Sequence, residues 1–172
     1  MMLPSFRHSE TMPSVSGYTV RPASPSDDAA IARLLVAVDA SWSPVPFYFS
    51  VREGGFPAAL HVIRQPHVAG LVALLDANIV GYAALCEVNR RMVLSNVMVH
   101  PDVEGAGVGK TLVTMLCRIA FVSATEVYAD VLDDSTRACA LYTSLGFFPV
   151  SRTRAEMSGR RGTLMRLSAT SI

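Results

Sequence analysis

Lysine is almost absent. Lys110 is the only one in 172 residues, and every other basic side chain is an arginine. We read that skew as a coding bias rather than a functional signature. Charge of either sign is sparse at 17%, with a net value of +1, so nothing in bulk electrostatics supports a nucleic-acid or anionic-membrane partner. No apolar run approaches the ~18 residues that a membrane span needs. Only three cysteines occur, Cys86, Cys117 and Cys139, each within an apolar segment. An odd number so placed excludes a disulfide framework and implies free thiols in a reducing, cytoplasmic compartment. Residues 1–16 have neither periodicity nor the continuous apolar core of a signal peptide and are expected to form a disordered tail.

The full sequence is 51% hydrophobic, and the remaining chain, 17–172, has the length of one globular domain with its own core. Its organising stretch runs from Val93 into the segment after Lys110. An apolar strand ends at His100-Pro101, glycines alternate at Gly105, Gly107 and Gly109, and a helix begins. The unpaired N–H groups of a helix start, together with the helix dipole, form a natural anion site. Glycine lets the backbone come close to a phosphate and adopt positive φ. A phosphate-bearing ligand is therefore expected on Glu104, Gly105, Ala106, Gly107, Val108, Gly109 and Lys110.

Two readings of the loop compete. Gly109-Lys110-Thr111 supplies the end of a nucleotide P-loop, but G-x-x-x-x-G-K-[ST] requires glycine at position 104, where Glu104 stands. About sixty residues follow, too few for the further β-α units of such a fold. The other reading starts from the same strand and loop, Val97 to Gly109, which resembles the pyrophosphate loop of the GNAT N-acetyltransferase superfamily, [RQ]-x-x-G-x-[GA]. Gly107 and Gly109 fill the two small positions, and Glu104 replaces the Arg or Gln. About thirty residues on, Ser135 to Phe147 resembles the family's N-x-x-A-x-x-L-Y-x-x-x-G-F. Ala138, Leu141, Tyr142, Gly146 and Phe147 match, and Ser135 replaces the Asn. The resemblance extends over roughly residues 18–168.

Pattern and breakers give the order β-α-α-β-β-β-α-β-α-β-β. Tyr18–Arg21 reads as a strand. A capped start at Ser24–Asp28 leads into Ile31, Leu34, Leu35 and Val38 at helical spacing. Ser41–Pro57 is aromatic and broken by Pro and Gly, and is expected to be irregular; Ala58–Arg64 reads as a short helix. Apolar runs 70–75 and 79–87 flank a hairpin turn at Asp76-Ala77-Asn78. Strand 92–100, helix 110–122, strand 127–132, helix 136–145 ending at Gly146, and strands 147–153 and 163–167 follow. That order implies a mixed α/β domain. By resemblance it is a central, twisted, mostly antiparallel sheet of six or seven strands with about four flanking helices.

The resemblance implies acetyl-CoA as cosubstrate, no metal, and direct attack of a primary amine on the thioester. The pantetheine arm would run beside Val97, Met98 and Val99, with an amide of Met98 or Val99 on the thioester oxygen and Ser135 near the donor. Tyr142 is implied as the acid that protonates the leaving thiolate; packing of its ring in the last helix is the alternative. Glu87 is the foremost candidate base, ahead of Asn96 and His100. The aromatic segment after Ser41 would line the acceptor site or, equally, cap the core under an irregular loop, and Arg152, Arg154, Arg160 and Arg161 form a basic cluster, read chiefly as a solvated face. Glu104 and Ser135 keep open a catalytically inactive CoA-binding module. The acceptor is a small-molecule or peptide amine, and the fold allows a homodimer.

Overall fold

A computed structural model describes residues 17–41, 49–154 and 161–171. The expected tail, 1–16, lies outside them. Seven strands form one sheet in the order β1-β2-β3-β4-β5-β7-β6. They are β1 (Thr19–Pro22), β2 (Ala69–Leu75), β3 (Asn78–Val88), β4 (Arg91–Val99), β5 (Glu126–Leu132), β6 (Phe148–Arg154) and β7 (Arg161–Ser168). The helices are α1 (Asp28–Ser41), α2 (Phe49–Ile63), α3 (Val108–Ala120) and α4 (Thr136–Ser144). Chain order follows the expected alternation element by element.

Local chemistry explains the turns. Asp76-Ala77 and Asn89-Arg90 both hold positive φ at two successive residues, so β2–β3 and β3–β4 close through two-residue turns of the type whose twist matches the strands. The Ser24 amide donates to Asp27 at 2.8 Å in a capping box that starts the first helix. Helix α4 ends in a Schellman motif. Gly146, at φ +87°, donates to the Thr143 carbonyl and Phe147 to that of Tyr142, both at 3.0 Å. Gly146 thus ends the helix as the sequence indicates.

One expectation changes. Helix α2 begins at Phe49 rather than Ala58 and continues through Pro57, with a kink at Gly55 (φ 56°, ψ −140°). The glycine absorbs the bend, so the breakers that suggest an irregular segment deform a helix instead. Residues 42–48, including Trp42, Phe47 and Tyr48, lie outside the described residues.

The sheet carries a core on each face. On one, α3 buries Val108, Leu112, Val113 and Leu116 against Ala83, Leu85, Leu94, Val127 and Ala129, and Tyr142 of α4 joins them. Each such aliphatic side chain contributes roughly 1.5–3 kcal/mol on burial. On the other face, Ile31, Leu35 and Val38 of α1 and Ala59 and Ile63 of α2 cover Val72, Tyr82, Ala84 and Met98.

Candidate active site

The site forms where the sheet opens. Every neighbouring pair is antiparallel except β4–β5, which is parallel and joined only at Met92–Val127, Val93–Tyr128 and Leu94–Ala129. Beyond these pairs the strands run on to Val99 and Leu132 without pairing to each other, so the sheet forks. β4 is also irregular here. Its register on β3 slips between Tyr82 and Ala84, and Asn96 sits at φ +51°, the geometry of a bulge. The bulge turns Met98 to the α1–α2 side, while Val97 and Val99 pack with the α3 core.

At one end of the fork stands the N-terminus of α3. Gly105 and Gly107 adopt φ +83° and +84°, the left-handed region that the turn requires. The helix ladder starts with Thr111 N–H to Gly107 O at 3.0 Å, so the N–H groups of Val108, Gly109 and Lys110 precede its first bond. Ala106 differs from expectation, because its N–H is engaged by the Val103 carbonyl at 3.3 Å. Close packing fixes the loop from behind. A Cβ on Gly81 would lie 2.6 Å from Val108, and one on Gly109 would lie 3.5 Å from both Leu141 and Val99. Tyr18, buried at 3% exposure, ties its hydroxyl to Thr111 Oγ1 at 3.0 Å, a contact with no local sequence signal. Glu104 lies in the loop, ion-paired with Arg137 at the start of α4. Ser135, half-buried, precedes α4 and makes no side-chain cap.

At the other end a cleft of about 470 Å³ opens between α2 and the sheet. Its lining includes Ala58, His61 and Val62 of α2, His67, Tyr82, and Ser95 and Asn96 at the bulge. Cys86 also faces it; burial raises its thiol pKa, with a bond to Ser95 opposing. Burial pushes the Tyr82 phenol up to about 12, with smaller contributions from Cys86 and Asp28, so it stays a proton donor at neutral pH.

The catalytic candidates separate. Tyr142 is 6% exposed, and its ring meets that of Phe147 edge-on at 5.2 Å, so it belongs to the core beside the loop. Glu87 is not brought to the cleft. It is exposed near the Asn89-Arg90 turn, opposite Met92, and strand alternation puts it with Ala83 and Leu85 on the α3 face. His100 accepts from the Asp102 amide at 3.3 Å and caps the turn Pro101–Val103. Of the three base candidates only Asn96 lines the cleft.

A carboxylate missed by the sequence reading lies on the cleft's side of the sheet, outside the residues that line the cleft. Asp130 follows Ala129, the last β5 residue paired with β4, and alternation turns it to the cleft's side of the sheet. Thr153 Oγ1 donates to it at 2.6 Å, in space that a side chain on Gly162 would occupy. Asp130 is the one charged residue within Val127–Leu132, a signal open to inspection. In the basic cluster, Arg152 is held by Asp133 at 2.9 Å; Arg160 and the side chain of Arg154 lie outside the described residues.

The forked β4–β5 pair, the glycine turn and α3 coincide with the region matched by the family model for Acetyltransferase (GNAT) family, residues 31–147. The chain belongs to the GNAT acetyltransferase family. Solved GNAT structures superpose over nearly its whole length. A GCN5-related N-acetyltransferase from Rhodopseudomonas palustris is 25% identical at a TM-score of 0.69, covering 91% of this chain and 99% of its own. The putative acetyltransferase yncA from Salmonella typhimurium, solved with acetyl-CoA, is 20% identical at 0.65 (88% and 94%). The ribosomal-protein-S18-alanine N-acetyltransferase from Escherichia coli is 19% identical at 0.66 (88% and 93%). No curated protein matches in sequence. GNAT membership disposes of the P-loop reading, as does the sheet: the single parallel pair among the described residues cannot supply the repeated β-α crossovers of that fold.

Proposed function

We propose that this GNAT protein transfers an acetyl group from acetyl-CoA to a primary amine by direct attack. The observation that carries the reading is the fork: β4, parted from β5 beyond Leu94, runs between a helix N-terminus suited to phosphates and a cleft suited to an acceptor. The donor's phosphates lie on the amides of Gly107 to Lys110, and its pantetheine arm runs beside Val97–Val99. The amine nitrogen forms a bond to the thioester carbonyl carbon, the C–S bond breaks, and the amine loses a proton as the thiolate gains one. Backbone amides at Met98 or Val99 hold the developing oxyanion. Asp130, directly or through water, takes the amine proton. Tyr142 protonates the leaving thiolate.

The acceptor is a small molecule or a peptide amine reaching Asn96 through the cleft. Free thiols at Cys86, Cys117 and Cys139 support a cytoplasmic setting. A CoA-binding module without activity is the second reading, supported by Glu104 and Ser135 at positions where the family pattern has other side chains.

Thiol release from acetyl-CoA across an amine panel tests the proposal. Asp130→Asn is expected to lower kcat about 10²-fold, as for loss of a general base, with acetyl-CoA affinity unchanged. Full turnover by Tyr142→Phe at saturating donor would remove Tyr142 from the mechanism. Donor binding with no thiol release on any amine would favour the inactive module.

A further inference from the structure

Position 104 is where the loop departs most from the family pattern, and its charge has the wrong sign for a phosphate site. The structure supplies an answer from another element. Arg137, in the first turn of α4, reaches across to the Glu104 carboxylate through Nη1. Both residues are at the surface, the Glu104 side chain at 30% exposure and that of Arg137 at 81%. With the pair closed their charges cancel, and Lys110 remains as the loop's net cation.

We propose that Arg137 is a charge-masking residue for the donor loop. It neutralises Glu104, so that a pyrophosphate meets helix amides and Lys110 rather than an uncompensated carboxylate. The inference rests on the acetyl-CoA reading above and makes donor affinity depend on α4 as well as on the glycine turn. An ion pair this exposed adds little to stability, so its consequence falls on the ligand and not on the fold. A unit charge roughly 8 Å from a phosphate, at an effective dielectric constant near 30, changes affinity about tenfold. The effect fades with salt, because the Debye length at physiological ionic strength is about 8 Å.

The test is calorimetric titration with acetyl-CoA at low salt for the wild type, Glu104→Gln, Arg137→Gln, Arg137→Lys and the double variant Glu104→Gln/Arg137→Gln. Thermal melts establish that each is folded. Arg137→Gln is expected to bind about tenfold more weakly, by the same Coulomb estimate, and Arg137→Lys to stay within about threefold of wild type. The double variant is expected to return close to wild-type affinity, because removing the carboxylate removes the need for the mask. The inference is overturned if Arg137→Gln binds like wild type. It is also overturned if the double variant stays as weak as Arg137→Gln, which would make Arg137 a phosphate ligand indifferent to Glu104. Binding by Glu104→Gln but not by wild type would refute masking and leave the donor reading intact. Absence of binding in all five proteins would overturn the donor reading, and masking with it.

Discussion

Replacing Gly81 by alanine tests how the donor loop is held. Gly81 is buried within β3, between Ala73 of β2 and Val99 of β4. A Cβ there would sit 2.6 Å from Val108 Cγ1, 3.1 Å from Leu112 Cδ1 and 3.3 Å from Ala73 Cβ. Carbon atoms pack best at about 3.5–4.0 Å, so the shortfall against Val108 is about 1 Å. Val108 cannot simply rotate, because a β-branched side chain in a helix has one strongly preferred rotamer. Leu112 is fully buried and has no room to retreat. The helix itself must lift. Overpacking of this kind costs about 1–3 kcal/mol. Replacing a glycine gives back about 0.4–1 kcal/mol through the unfolded chain. The expected net loss is about 1–2 kcal/mol, read as a lower urea midpoint at unchanged slope. Because Val108 directly follows the glycine turn, acetyl-CoA affinity should fall in the same variant. Stability within about 0.5 kcal/mol of wild type, the range of an inconsequential surface change, together with unaltered donor affinity would refute this account of how the loop is positioned.

The other predictions concern the first helix and the turn. The Arg21 guanidinium, hydrogen-bonded to Asp27 at 2.7 and 2.8 Å, holds that carboxyl down at about 2, aided by Ser24 and opposed by burial. A depressed folded-state pKa adds stability at pH values above the unfolded pKa of ~4 and loses it as pH falls toward 2. Asp27→Asn should therefore cost roughly 1–2 kcal/mol at pH 7, and in urea titrations about half of that difference should be gone by pH 3. Gly107→Ala meets only the Tyr18 hydroxyl at 3.8 Å, so its penalty comes from the backbone at φ +84°. It should cost about 1–2 kcal/mol, lowering Tm by roughly 2–8 °C. Loss of one charge-assisted amide contact should weaken acetyl-CoA binding at least about tenfold in calorimetry.

The order of elements was legible because each carries its own signal: apolar runs either side of a turn for the hairpin strands, helical spacing in α1 and α3, and glycine at the end of α4. The start of α2 was not, since Gly55 and Pro57 read as breakers and only tertiary packing shows them as a kink. The glycine turn and the start of α3 were legible as a local motif. The acceptor side was not, because it depends on which strands pair and where they part. Asp130 becomes visible as a candidate base only once β5 is seen to leave β4 after Ala129. Glu87 drew attention as a carboxylate at a strand end, yet the alternation Ala83, Leu85, Glu87 already assigned it to the face under α3. The Glu104–Arg137 pair joins the two family motifs through space, and neither motif alone reveals it.

The central claim is that acetyl-CoA binds along the α3 turn and the end of β4 that has parted from β5. Backbone amide shifts in a ¹⁵N-labelled sample titrated with acetyl-CoA, and separately with ATP-Mg²⁺, test it most directly. The account predicts saturable, micromolar perturbation by acetyl-CoA concentrated at Glu104–Thr111 and Ser95–Val99, and none there with ATP-Mg²⁺. Perturbations confined to other elements, or a response to ATP-Mg²⁺ at the turn, would contradict it.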